Sequence, residues 1–447
     1  MTMKKLFCLF LCLVSSAFAA ITDHYVSSVG GSTYAVAIST VATSMTSNGV
    51  LAIILTDGST TWTNFGAGSN APGTIFTMAN QPGTGTGTCA PLCTWALALA
   101  GAAAGDRVNV VNDATYTRTT TNDALTNSGT STSPIWIRGF HAVPGDGYLG
   151  RVNSSGLLVT TNMPAFSYTT GHLTLVSETF AIVDSLNVTG AATGGADIAS
   201  AANGIVQNCV VTDSYNNSGA IGIAGQTNVF IYNNDVFMTG SSAATTAITA
   251  TTSGTRAIRN HILQSSSSAT CVGISMQGVT LASENQIVGS GNGYGIYVSL
   301  STSVSTMVGN TITDWTDGIT VITGSTTLNL AMDNVITDYT SYAIEGTIGT
   351  NAIAAPYNRY RENTSGGTNT TDLATDWLAS TSQGVVNTVL SATDYTTAFT
   401  DLRLLSTSPA VGVASPYYSS AQGKLGSFGA VQQVPGSAGE IDSAYVK

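Results

Sequence analysis

Charge is scarce in this chain. Lysine, arginine, aspartate and glutamate together make up 8% of its 447 residues, where ordinary globular domains carry about 25%. The 13 basic residues are outnumbered by 24 acidic ones, for a net charge of −11. A protein that grips a phosphate backbone needs clustered lysine and arginine, so nucleic acid is disfavoured as a partner. Beyond the first two dozen residues no apolar stretch reaches the roughly 18 residues of a membrane-spanning helix, and no transmembrane segment is expected. There are four histidines, none near a cysteine pair, which argues against a Cys/His metal site. With so few charges, the surface must be made largely of Ser, Thr, Asn and Gly, which suits a stiff rod and weak hydrogen bonding to sugars.

What the chain does have is a beat. Asn208, Asn234, Asn260, Asn285, Asn310, Asn334 and Asn358 follow one another at intervals of 26, 26, 25, 25, 24 and 24 residues, with Asp184 another 24 residues ahead of the first. Three residues before each Asn stands an apolar residue (Ile205, Ile231, Ala257, Ala282, Met307, Ala331, Ala355), and two after it stands another (Val210, Val236, Ile262, Ile287, Ile312, Ile336, Tyr360). A period of this length marks a stacked repeat in which no unit buries its own apolar face. A second row sets a small residue before isoleucine, at Ile223, Ile248, Ile274, Ile296, Ile319 and Ile344. Two strand signals and a bend per repeat predict an all-β solenoid. Leucine-rich repeats share the period, but they need leucine at most inward positions and often a helical return. Asn suits the bend because it tolerates left-handed backbone and its amide can pair with copies above and below.

This pattern resembles the right-handed parallel β-helix of the pectate lyase-like superfamily, over roughly residues 106–358. TWALALAGAAAGDRVNVVNDATYT (Thr94 to Thr117) looks like the capping helix and first strand that open such proteins. PIWIRGFHAVPGDG (Pro134 to Gly147) is similar to an early-coil string. DLRLLSTSPAVGVAS (Asp401 to Ser415) and GSFGAVQ (Gly426 to Gln432) look like a closing tail. The resemblance implies a fold class of single-stranded parallel β-helix with a short N-terminal capping helix and a C-terminal closing tail. It leaves the chemistry open, because this fold hosts lyases, hydrolases, adhesins and tailspikes alike.

Lys4 and Lys5, the apolar run LFCLFLCLV and Ala17-Phe18-Ala19 read as a secretory signal peptide, so export to the extracellular space or cell surface is expected. The expected organisation is a leader at 1–19, an irregular β-rich region at 20–88, the capped β-helix at 89–362 and a tail at 363–447 that packs on the last coil. Cys89 and Cys93 in the CAPLC loop are candidates for a local disulfide in an oxidising compartment. Cys209 and Cys271 read as buried free thiols.

In enzymes of this superfamily the substrate lies along the sheet that the Ile row marks here. Strand alternation turns the residue after each Ile outward, which gives Ala224, Thr249, Ser275, Tyr297, Thr320 and Glu345. A polyuronate lyase needs cations to neutralise the substrate carboxylate and a basic Arg or Lys to abstract a proton. The repeats contain no lysine, and their arginines do not fall on this face. The NTD, GHG and RIK strings of polygalacturonase-like proteins are missing too.

One patch rises above the background. Asp314 and Asp338 each follow a ladder Asn by four residues and should stack about 5 Å apart, with Asp317, Glu345, Tyr294, Tyr297, Trp315, Tyr339 and Tyr342 close in register. Carboxylates beside aromatic platforms suit a glycan groove, a glycosidase pair, or, at Asp314 and Asp338, a calcium ion. Equally, the two aspartates suit turns, where Asp caps its own backbone, and the tyrosines a coil edge. His261 should point outward beside Arg259 as a solvated side chain, or with it contact an anionic sugar.

The expected function is a secreted glycan- or surface-binding β-helix without catalysis, an adhesin or structural component. The alternatives are a polysaccharide lyase or glycoside hydrolase and, third, a phage-type fibre or spike. The partner is a polysaccharide or cell-surface glycan. No catalytic residue, and no cofactor beyond that calcium, can be assigned.

Overall fold

A computed structural model describes residues 22–31, 38–39, 51–56, 72–77, 88–119, 122–345, 353–354, 358–362, 395–397 and 401–404, with interruptions at 152–155, 170, 176–177, 191–194, 215–218, 241–243, 301 and 323–328. The leader, most of the tail and the Cys89 side chain lie outside the described residues. Cys93, its expected disulfide partner, is buried.

The chain winds into a right-handed parallel β-helix of about eight turns. Each turn runs through three sheets, lettered here in the order the chain meets them. Sheet A, before the ladder, holds 11 strands from Asp23–Gly31 to Ile353–Ala354. Sheet B, after it, holds ten from Tyr116–Arg118 to Arg359–Glu362. Sheet C, the Ile row, holds eight from Leu173–Leu175 to Tyr342–Glu345. Every pairing within these three sheets is parallel, so residues one repeat apart stack at about 4.8 Å. Ile223, Ile248, Ile274, Ile296, Ile319 and Ile344 form one such column, and Val236, Ile262, Ile287, Ile312 and Ile336 another. All are buried, and each contributes about 1.5–3 kcal/mol on leaving water. The helix Trp95–Gly101, N-capped by the Thr94 side chain, turns Trp95, Ala98 and Leu99 into the core beside the first strands. A four-stranded antiparallel sheet (Ile38–Ser39, Thr88–Pro91, Leu51–Thr56, Ile75–Thr77) precedes it. No helix among the described residues is long and apolar enough to cross a membrane.

The small residue before each isoleucine has a steric cause. A Cβ added at Gly273, Gly295 or Gly318 would come within 2.4–2.6 Å of the Cγ2 atoms of Ile287, Ile312 and Ile336 on sheet B. Sheets B and C therefore approach too closely there for anything bulky.

The asparagine ladder is real, with two corrections. Asn260 Oδ1 accepts from both the backbone N–H and the Nδ2 of Asn234, at 3.0 and 2.9 Å, while Asn234 Nδ2 also donates to Val206 O. The same three bonds recur for Asn260, Asn285, Asn310 and Asn334, ending on Asn358. The left-handed bend, expected at these asparagines, falls one residue earlier, where Asn233, Arg259, Glu284, Gly309 and Asp333 have φ of 55 to 67°. Asn208 belongs to that outer row, with φ 54°, and not to the ladder. Its amide bonds Asp184 and Asn233, and Cys209 occupies the ladder position, giving its N–H to Asn234 Oδ1. Cys209 and Cys271 are free and buried, and burial pushes both thiols up, Cys271 to about 11.

Candidate functional site

Two columns of side chains face outward near the C-terminal end of sheet C. The first runs Val272, Tyr294, Asp317, Tyr342, and the second Ser275, Tyr297, Thr320, Glu345. Parallel pairing without register shift converts the repeat into proximity, so Asp317 lies between two tyrosines and Thr320 between a tyrosine and a glutamate. The Tyr294 and Tyr297 rings stack, with centroids 4.9 Å apart and planes at 24°. Together they form an aromatic shelf across one coil.

The acids sit on the next two coils. Asp317 Oδ1 accepts the Tyr342 N–H at 3.0 Å. Burial first, and the Glu345 carboxylate second, push Asp317 up to about 6. Tyr294 is raised as well, by burial and then by Asp317, Tyr297 and Glu345. These four side chains thus share one electrostatic environment, and it is acidic. Thr320 Oγ1, in the second column, is buried without a hydrogen-bond partner. An unsatisfied buried hydroxyl costs about 1–3 kcal/mol. The sequence placed Thr320 on this face but gave no sign that its hydroxyl would be left over.

The remaining predicted residues divide. Asp314 and Asp338 occupy the same turn on neighbouring coils, beyond the Thr313–Thr337 pair, and both have left-handed backbone, φ 60° and 56°. Burial and then Asp338 raise Asp314. Asp314 sits in the bend that ends its strand, and Asp338 lies within the strand Val335–Tyr339, where the pairing with Arg359–Glu362 slips by one residue. Among the described residues no group of three or more His, Cys, Asp or Glu side chains is arranged to hold a metal. Trp315 and Tyr339 are not platforms: both are fully buried. The left-handed residue before each breaks the strand alternation and swings the ring into the core. Trp315 lies over Gly289 and Gly273 and donates Nε1–H to Ile287 O at 3.3 Å. His261 does face outward from sheet B, but it is buried rather than solvated.

No family model matches the chain, and no curated protein does. Among solved structures it is similar to pectate lyase Pel9A, with 13% identity and a TM-score of 0.48 over 77% of this chain and 92% of that one. It is also similar to the PL6 family alginate lyase AlyGC, with 14% identity and a TM-score of 0.23 over 62% and 52%. Likenesses this distant do not bear on chemistry.

Proposed function

We propose that this is an exported β-helix protein that binds an uncharged glycan along the outer face of sheet C. The stacked Tyr294–Tyr297 shelf beside Asp317 and Glu345 carries this reading. Flat aromatic rings offer apolar area to sugar faces at low entropic cost, and carboxylates accept from sugar hydroxyls. Polyuronates fit poorly. The face presents acids, and two arginines of the preceding coils serve other faces: Arg256 lies over Phe230 on sheet A, and Arg259 pairs with Glu284 at the ladder bend. An anionic polymer would meet the repulsion of Asp317 and Glu345 on this face. The net negative charge and the leader-like N-terminus support an extracellular setting.

A second reading is hydrolysis. A carboxyl raised to about 6 stays protonated in mildly acidic medium and can act as a general acid, with Glu345 as its partner across one coil.

The test is retention on affinity gels cast with neutral polysaccharides (xylan, glucan, mannan) and with polygalacturonate and alginate. The wild type should be retarded by at least one neutral polymer and by neither uronate. Tyr297→Ala should remove the retardation, and Asp317→Asn should keep it while abolishing any release of reducing ends. Retardation by polygalacturonate alone, or retention unaltered in Tyr297→Ala, would overturn the assignment.

A further inference from the structure

Between Phe140 on sheet A and Ala165 on sheet B the described residues, 141–151 and 156–164, leave the regular coil. They lie over the outside of sheet B two to three coils further on. Leu158 and Met163 of this strap pack on Val210, with Tyr148 and Phe237 alongside. Its polar anchor is Arg151. The guanidinium reaches Asp235 Oδ1 at 2.6 Å and Asn233 Oδ1 at 2.9 Å. The Leu158 N–H holds the other oxygen, Asp235 Oδ2, at 2.6 Å. The Asp235 side chain is only 1% exposed, so these bonds form out of water.

Directly in register with Asp235, one coil on, stands His261. Its ring meets Phe237 edge-on at 6.3 Å, and Nδ1 is buried with no hydrogen-bond partner. The charged groups felt by the ring are Asp235, beneath it, and Arg151, in the strap. On its other side the column continues with uncharged Gln286. Arg259, two residues away, is tied to Glu284 at 2.7 Å and reaches Tyr232, so that carboxylate is occupied.

We propose that His261 makes this strap a proton-sensitive clasp: the neutral ring lets Arg151 and Leu158 share Asp235, and the protonated ring drives them off. An imidazolium there would be a second buried cation on a carboxylate whose two oxygens are already engaged. Burying it unpaired is costly, and exposing the ring by releasing the strap avoids that cost. Burial lowers His261 below the ordinary value of 6.5, the largest cause, with Arg151 acting the same way and Asp235 opposing. The closed state therefore binds its proton less readily than the open one. Closure is fully favoured at pH above the ordinary histidine value and is lost as pH falls beneath it, by up to about tenfold per pH unit for one proton.

The experiment is hydrogen exchange of the Leu158 amide in the full chain between pH 7.5 and 4.5, corrected for intrinsic rate, with the ladder amide of Asn285 followed as a control for global folding. Protection at Leu158 should be constant above about pH 6.5 and fall steadily below, while Asn285 stays protected. His261→Gln should flatten the profile, and Arg151→Ala should leave Leu158 unprotected at every pH. A flat wild-type profile, or a slope retained in His261→Gln, would refute the clasp. Should the glutamine variant not fold, the ring is titrated by NMR in the wild type: a His261 midpoint coinciding with Leu158 release supports the clasp, and a separate midpoint overturns it.

Discussion

Replacing Asn285 by alanine removes a side chain with no solvent exposure and four hydrogen bonds. Two donors are left without their acceptor: the Asn260 backbone N–H at 3.0 Å, and one hydrogen of Asn260 Nδ2, whose other hydrogen keeps Ile231 O. One acceptor, Ala257 O, loses its donor. Asn310 Oδ1 is better off, because the backbone N–H of residue 285 still reaches it. Each orphaned buried group costs about 1–3 kcal/mol, so three give roughly 3–6 kcal/mol after partial relaxation. That is a large share of a typical total stability of about 5–15 kcal/mol. Asn208→Ala is the matched control. It deletes the same amide from the outer row, where neighbouring groups are less deeply buried, and should cost about 1 kcal/mol. Urea unfolding followed by far-UV circular dichroism measures both. If Asn285→Ala loses no more than Asn208→Ala, the stacked amides are not what holds the coils in register.

Three further outcomes follow from the same geometry. Cys209→Asn should stabilise the protein by about 0.5–1.5 kcal/mol, because Sγ already lies 3.9 Å from Val183 O, where a ladder amide would donate; a lower urea midpoint would exclude this. Gly295→Ala should cost about 1–3 kcal/mol or more through the clash with Ile312 Cγ2 at 2.4 Å, whereas Ala→Gly at Ala343, in the same row, should be mild; equal melting temperatures for wild type and Gly295→Ala would remove the close-approach argument. Asp317 is raised to about 6 from 3.8, so its contribution to stability is complete below about pH 3.8 and is lost as pH rises through about 6. Asp317→Asn should accordingly melt higher than the wild type at pH 8 and level with it near pH 3.5, and a gain at both pH values would point to packing instead.

Much of the fold was written in residue type and interval. The Ile and Asn rows gave the period, and strict stacking made sequence register and spatial register nearly the same thing. The exceptions are instructive. In IVQNCVV the eye takes the Asn, but the position wanted by the stack is one later, and a cysteine there looks like any small apolar residue. Trp315 and Tyr339 are grouped with the outer patch by register alone, which says nothing of the single left-handed aspartate before each one that turns the ring inward. The Tyr294, Tyr297, Asp317 and Glu345 group holds together because each strand of sheet C turns two consecutive residues inward, as Gly295 and Ile296 do, which leaves positions three apart on the outer face. His261 is solvated in the sequence reading and buried in the structure for a different reason: Arg151, over a hundred positions upstream, reaches Asp235 beneath it, and no local pattern announces so distant a partner.

The direction of the amide bonds has a consequence for how the chain is built. Each ladder oxygen serves the backbone N–H of the turn before it, so a turn is finished only when its successor arrives. A polypeptide emerging N-terminus first would carry an unsatisfied backbone N–H and an unsatisfied side-chain amide hydrogen of its last ladder Asn at the growth front, healed and recreated about every 25 residues. Assembly of this kind is vectorial, and a chain halted midway would keep an adhesive end.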